Sequence, residues 1–119
     1  MSTPTTFTPV AQDPQQLGTS SSTLFTAGAD GAVLDYILLV NDTPGSAVKV
    51  TLYHVPAGLS VGDDNIICKD AIIPGDGWGV NVLEQIDARP FHLEALGTIR
   101  GLAAAASQVT VQIGGTDYA

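Results

Sequence analysis

His54 and His92 are the only histidines of the 119-residue chain, Cys68 is its single thiol, and Asp63-Asp64-Asn65 is its densest group of side-chain oxygens. Each residue type can carry chemistry, and each is judged by its neighbours. A hydrolytic triad needs a nucleophile, a base and an orienting acid brought together. No Gly-x-Ser-x-Gly or comparable elbow accompanies either histidine: His54 ends a β-like run beside Tyr53, and His92 lies between Phe91 and Leu93. Cys68 sits in the strand-like stretch 65–70 with no base beside it, so it reads as a buried structural thiol. One cysteine allows no intramolecular disulfide, which suits the cytoplasm of a producing cell. Calcium takes roughly six to eight oxygens, and Asp63 and Asp64 lack the Asp-x-Asp-x-Asp-Gly spacing that supplies them, so a turn or a subunit contact is the reading. Gly75-Asp76-Gly77 opens no helix and is not a phosphate cradle. No catalytic residue, metal or cofactor is expected, and function is sought in surfaces and assembly.

Composition narrows the partners. Charged residues are 13% of the chain, against about a quarter in ordinary domains, and mean hydropathy is +0.25. A surface so poor in charge favours contact with other protein, the alternative being a monomer covered by Ser, Thr, Asn and Gln. The net charge is −8, and the four cations, Lys49, Lys69, Arg89 and Arg100, are scattered along the sequence. Nucleic acid needs clustered cations to displace counterions from phosphates, and anionic membranes are disfavoured likewise. The longest apolar run, 36–40, is too short to span a bilayer. The first twenty residues lack the basic and apolar regions of a secretory signal.

The elements that must position any surface are strands. Residues 32–41 and 47–55 flank a Pro44-Gly45 turn and read as neighbouring antiparallel strands. The second alternates, with Val48, Val50 and Leu52 on one face and Lys49, Thr51 and Tyr53 on the other. The first is apolar on both sides: Leu34, Tyr36, Leu38 and Val40 share one face and Ile37 and Leu39 the opposite one. Such a strand needs cover on both sides, one from its own second sheet and the other from another subunit. Further strands are expected at 23–27, 66–73, 78–83, 90–93, 98–103 and 108–113, the last with Val109, Val111 and Ile113 inward. Residues 84–89 read as a loop with room for one helical turn, and Ala103–Ala106 as a strand end running into a loop. About eight short strands separated by turn signals make an all-β antiparallel β-sandwich or jelly roll over 23–119. Residues 1–22, rich in Thr, Ser, Pro and Gln, read as an extended N-terminal arm lying across a neighbour or folded against its own domain.

Several pieces, taken in order, resemble a family of small bacteriophage virion β-sandwich domains. They are 23–27, 36–41, 50–58, 62–65, 93–100 and 109–115, with Leu96-Gly97-Thr98 standing where a Gly-Asp turn is expected. The resemblance implies a jelly roll that trimerises, either as a capsid decoration (cement) protein or in tail, neck or fibre appendages that bind a host surface. The leading expectation is a homotrimer on the capsid exterior, bound to the major capsid protein and acting through buried apolar area. Leu34, Tyr36, Leu38, Val40, Trp78 and Phe91 are the expected intersubunit contacts, and Phe7, Val10 and Leu17 the expected anchors of a capsid-binding arm. A small secreted lectin-like or adhesion domain is a third reading.

Overall fold

A computed structural model of the chain describes residues 7–10, 13–42, 45–75, 78–86 and 90–118. Ten strands run through them: β1 (Phe7–Pro9), β2 (Gln15–Gln16), β3 (Ser22–Thr26), β4 (Ala32–Asn41), β5 (Val48–Val55), β6 (Ile66–Ile73), β7 (Gly79–Asn81), β8 (Phe91–Leu93), β9 (Thr98–Ala103) and β10 (Val109–Tyr118). All pairings are antiparallel and form two sheets. In sheet I, β10 lies between β4 and the pair β1 and β2, and the far edge of β4 carries β7 and β8. Sheet II runs β3-β9-β5-β6. With β1 and β2 taken as one interrupted strand, and β7 and β8 as another, the pairs nest: first with last, second with seventh, third with sixth, fourth with fifth. That winding is the double-sheet jelly roll, and the expected all-β antiparallel sandwich is the observed fold.

The alternation read from the sequence sets the inner faces. Val48, Val50 and Leu52 of β5 and Val109, Val111 and Ile113 of β10 are buried and meet Leu34, Ile37, Leu39, Leu24 and Ile99 in one core. Thr51 lies on the outer side of its strand yet is buried, because β6 bulges over it: Lys69 and Asp70 both face Thr51, and Asp70 N–H donates to its Oγ1 at 3.1 Å. Residues 78–83 depart from the expected single strand. Asn81 Oδ1 accepts from Leu83 N–H at 3.2 Å and starts a short helix, α1 (Val82–Gln85), which turns Val82 and Leu83 into the core. The turn at 94–97 holds Leu96 at φ 59, a left-handed conformation in which glycine would rest more easily.

The described part of 1–22 belongs to this domain. β1 and β2 both pair with β10, and Leu17 is 1% exposed. Gln15 Nε2 donates to Leu24 O at 2.8 Å across to sheet II, at the bulge where β3 breaks register with β9. The four sheet edges are therefore short, broken or bulged: β1 with β2, β7 with β8, β3, and the twice-bulged β6.

Candidate functional site

The outer face of sheet I is built around β4. Its register against β10 shifts at Gly114/Gly115: Tyr36 faces Gly114, Leu34 faces Gly115, and Asp35 is the extra residue of a β-bulge. An inserted residue reverses which side of the strand faces the core. Ala32 and Leu34 point inward before the bulge, Ile37, Leu39 and Asn41 after it, and Tyr36, Leu38 and Val40 form a row on the outside. The expectation that Leu34 shares their face is thereby corrected: Leu34 is fully buried.

The row lies low. A Cβ on Gly114 would stand 2.1 Å from a Tyr36 ring carbon, and one on Gly79 would stand 2.6 Å from Leu38 Cδ1, so both side chains rest on bare backbone of the flanking strands. The cross-strand neighbours of Leu38 are Gln112 on β10 and Asn81 on β7. Together with Asp35 and Tyr36 these line a shallow depression of about 400 Å³. Trp78 stands one residue ahead of Gly79, the partner of Val40, and is 77% exposed. The result is a flat, mostly apolar face edged by amides, with the Asp35 carboxylate at one end.

Phe91 faces the other way, which corrects its expected place among the outer contacts. It pairs with the inward Leu34, packs against the core, and meets the His54 ring edge-on with centroids 5.3 Å apart. His54 Nε2 lies 2.9 and 3.2 Å from the two Glu94 carboxylate oxygens, tying β5 to the turn after β8 at one end of the sandwich. Next to this pair, Asp64, Asn65, Ile66, Ile67 and Ile86 line a depression of about 240 Å³. No hydroxyl or thiol among the described residues is hydrogen-bonded to the His54 ring, and no three metal-ligating side chains among them converge. His92 is exposed and pairs with Val33, on the opposite side of β8 from Phe91.

Of the expected arm anchors, Leu17 is a core residue. Val10 packs partly buried against the same core, with its N–H donating to Gly115 O at 2.9 Å. Leu17 is not available as a clamp on another protein; the Phe7 side chain lies outside what the structure describes, although its backbone pairs with Tyr118. Sequence reasoning missed Asn81 and Gly114 as parts of the outer face; Gln112 already fell on the outer side of its alternating strand. The signal for one of them was present in Gly114-Gly115, a glycine pair ending an alternating strand.

Cys68 lies opposite Leu52 and is half-buried. Burial pushes its thiol above the ordinary value, and a hydrogen bond with the Leu52 backbone acts against that rise. Alkylation of the native protein at pH 8 is expected to run severalfold slower than in denaturant, as measured by mass spectrometry. The unfolded thiol ionises first, so stability is unaffected below its ordinary pKa and falls as the pH climbs past about 8.5. No protein-family model, curated protein or solved structure matches this chain.

Proposed function

We propose that the chain is a structural protein of a bacteriophage virion. It is a capsid decoration (cement) protein, made in the host cytoplasm, that assembles as a homotrimer on the outside of the head and braces the major capsid protein. The observation that supports this reading is the flat outer row of Tyr36, Leu38 and Val40, with exposed Trp78 beside it, on a jelly roll whose edge strands are short, broken or bulged. Broken and bulged edges disfavour open-ended strand addition, and a face contact repeated about a threefold axis closes into a ring. A stable interface hides about 800 Å² per partner, and a sheet face is the element wide enough to supply it. The strand-and-turn resemblance to phage virion domains supports the choice of particle.

Sedimentation of the intact protein is expected to give a trimer, and the double substitution Tyr36→Lys with Leu38→Lys a folded monomer with an unchanged far-ultraviolet spectrum. Trp78, the single tryptophan, reports on the same event: its emission should shift to the blue as concentration rises, and not in the double variant. A wild-type monomer at every concentration would overturn the trimer. Copy number on purified particles separates the placements, hundreds for a head and a handful for a tail, neck or fibre.

A further inference from the structure

The cations scattered in sequence are gathered in space. Every described Lys and Arg lies in sheet II: Lys49 on β5, Lys69 on β6 and Arg100 on β9; Arg89 lies outside the described residues. The strands of sheet I carry none. The register puts the three on one face. Val50, Leu52, Gly101 and Ala103 are the inward residues of β5 and β9, so Lys49 and Arg100 point outward, Arg100 directly opposite Tyr53. Cys68 pairs with inward Leu52, which leaves Lys69 on the outer side, level with Thr51. Strand rise and spacing place Lys49 and Lys69 about 8 Å apart at the backbone, and Lys69 and Arg100 about 12 Å.

None of the three makes an ion pair with a described residue. Among the described residues, Arg100 Nε donates to Thr98 Oγ1, at 3.3 Å. In a chain with twelve acids to four bases, neutralising partners are abundant, yet of the acids whose side chains are described only Asp70, which faces Thr51 beside Lys69, shares this face. Asp35 and Asp117 are in sheet I, and Asp13, Asp30, Asp42, Asp64, Glu84 and Glu94 are in turns and at the ends of the sandwich. Asp70 is the one acid on the strands of sheet II. Between the cations lie Tyr53 and Leu102, half-buried, with Ile72 64% exposed beside Lys49. An apolar centre inside a charged rim is the anatomy of a protein interface.

We propose that the outer face of sheet II docks onto an acidic patch of a partner protein, with Lys49, Lys69 and Arg100 as the rim and Tyr53 and Leu102 as the centre. Charge complementarity selects the partner: three cations on a chain of net charge −8 cover too few phosphates to hold nucleic acid, whereas a protein patch needs only a matching few. Only the identification of that partner with the capsid rests on the virion reading. It follows that the two sheets serve different contacts, sheet I for like copies and sheet II for an unlike protein.

The test is an amide chemical-shift titration of the intact protein with poly-L-glutamate, in the absence of any particle, so that its failure is distinct from failure of the virion reading. Shifts are expected at Lys49, Tyr53, Lys69, Arg100 and Leu102 and to disappear in high salt. They should weaken about tenfold or more in the triple variant K49Q/K69Q/R100Q, whose unperturbed spectrum elsewhere verifies the fold. Absence of shifts, shifts centred on other strands, or equal or tighter binding of a short DNA duplex or of phosphatidylserine vesicles to the same face would overturn the proposal.

Discussion

Deleting residues 1–20 is expected to unfold the protein or leave it barely stable, rather than to remove a detachable arm. β1 and β2 cover one side of β10, and Leu17 sits in the core. The chain at Leu17 and Gly18 also stitches the sheets together. Leu17 N–H donates to Val109 O at 2.9 Å, Ser107 N–H to Leu17 O at 3.1 Å, and Ala103 N–H to Gly18 O at 2.8 Å. Leu17→Ala alone should cost about 2–5 kcal/mol, a large part of a domain's total of about 5–15 kcal/mol. The truncation adds the loss of two strand pairings and of the Gln15 bond to Leu24 O. Urea unfolding followed by circular dichroism measures both. A truncation at residue 12, which keeps β2 and Leu17, should retain most of the stability; equal stability of the protein lacking 1–20 would refute the integrated arm.

Gly115→Ala is expected to cost about 3 kcal/mol or more, the steepest penalty of any single added methyl. Gly115 lies at φ 157 in the β4 bulge, and a Cβ there would stand 2.1 Å from Val33 O and 2.7 Å from Leu34 Cα, backbone atoms that cannot rotate aside. The strand can accept the methyl only by losing the bulge, and losing it slips one half of β4 past the other. That slip would carry Tyr36, Leu38 and Val40 toward the core or push Leu34 out of it. Gly45→Ala is the control: its φ of 78 is left-handed, but no described atom lies within 4 Å of its added carbon, so the cost should be about 1 kcal/mol. Thermal unfolding of the two variants side by side reads the difference, and matching losses would remove the role assigned to the bulge.

What the sequence disclosed follows from where structure is local. The inner faces of β5 and β10 were legible because Val48-Lys49-Val50 and Val109-Thr110-Val111 keep an unbroken period of two. The face of Leu34 was misjudged because a bulge resets that period, and the cause, Gly114-Gly115, lies on another strand nearly eighty residues away. Leu17 was assigned to an arm because its neighbours are polar; its burial depends on β10 and β9 meeting around it. Phe91 was placed outside for want of length, since a three-residue strand has no period to read. The clustering of Lys49, Lys69 and Arg100 was invisible for the same reason as the bulge: it exists only once β5, β6 and β9 are paired.

The nesting of the strands also fixes when the molecule can be finished. β10 is the central partner of sheet I, bridging β4 to β1 and β2, and it is made after every strand it joins. While the nascent chain is still on the ribosome, β4 can pair with β7 and β8 on one edge, but its other edge waits unpaired until β10 arrives. Closure is therefore a late, single event gated by the emergence of Val109–Tyr118, the slow, long-range kind of step that leaves a growing chain in need of chaperone cover.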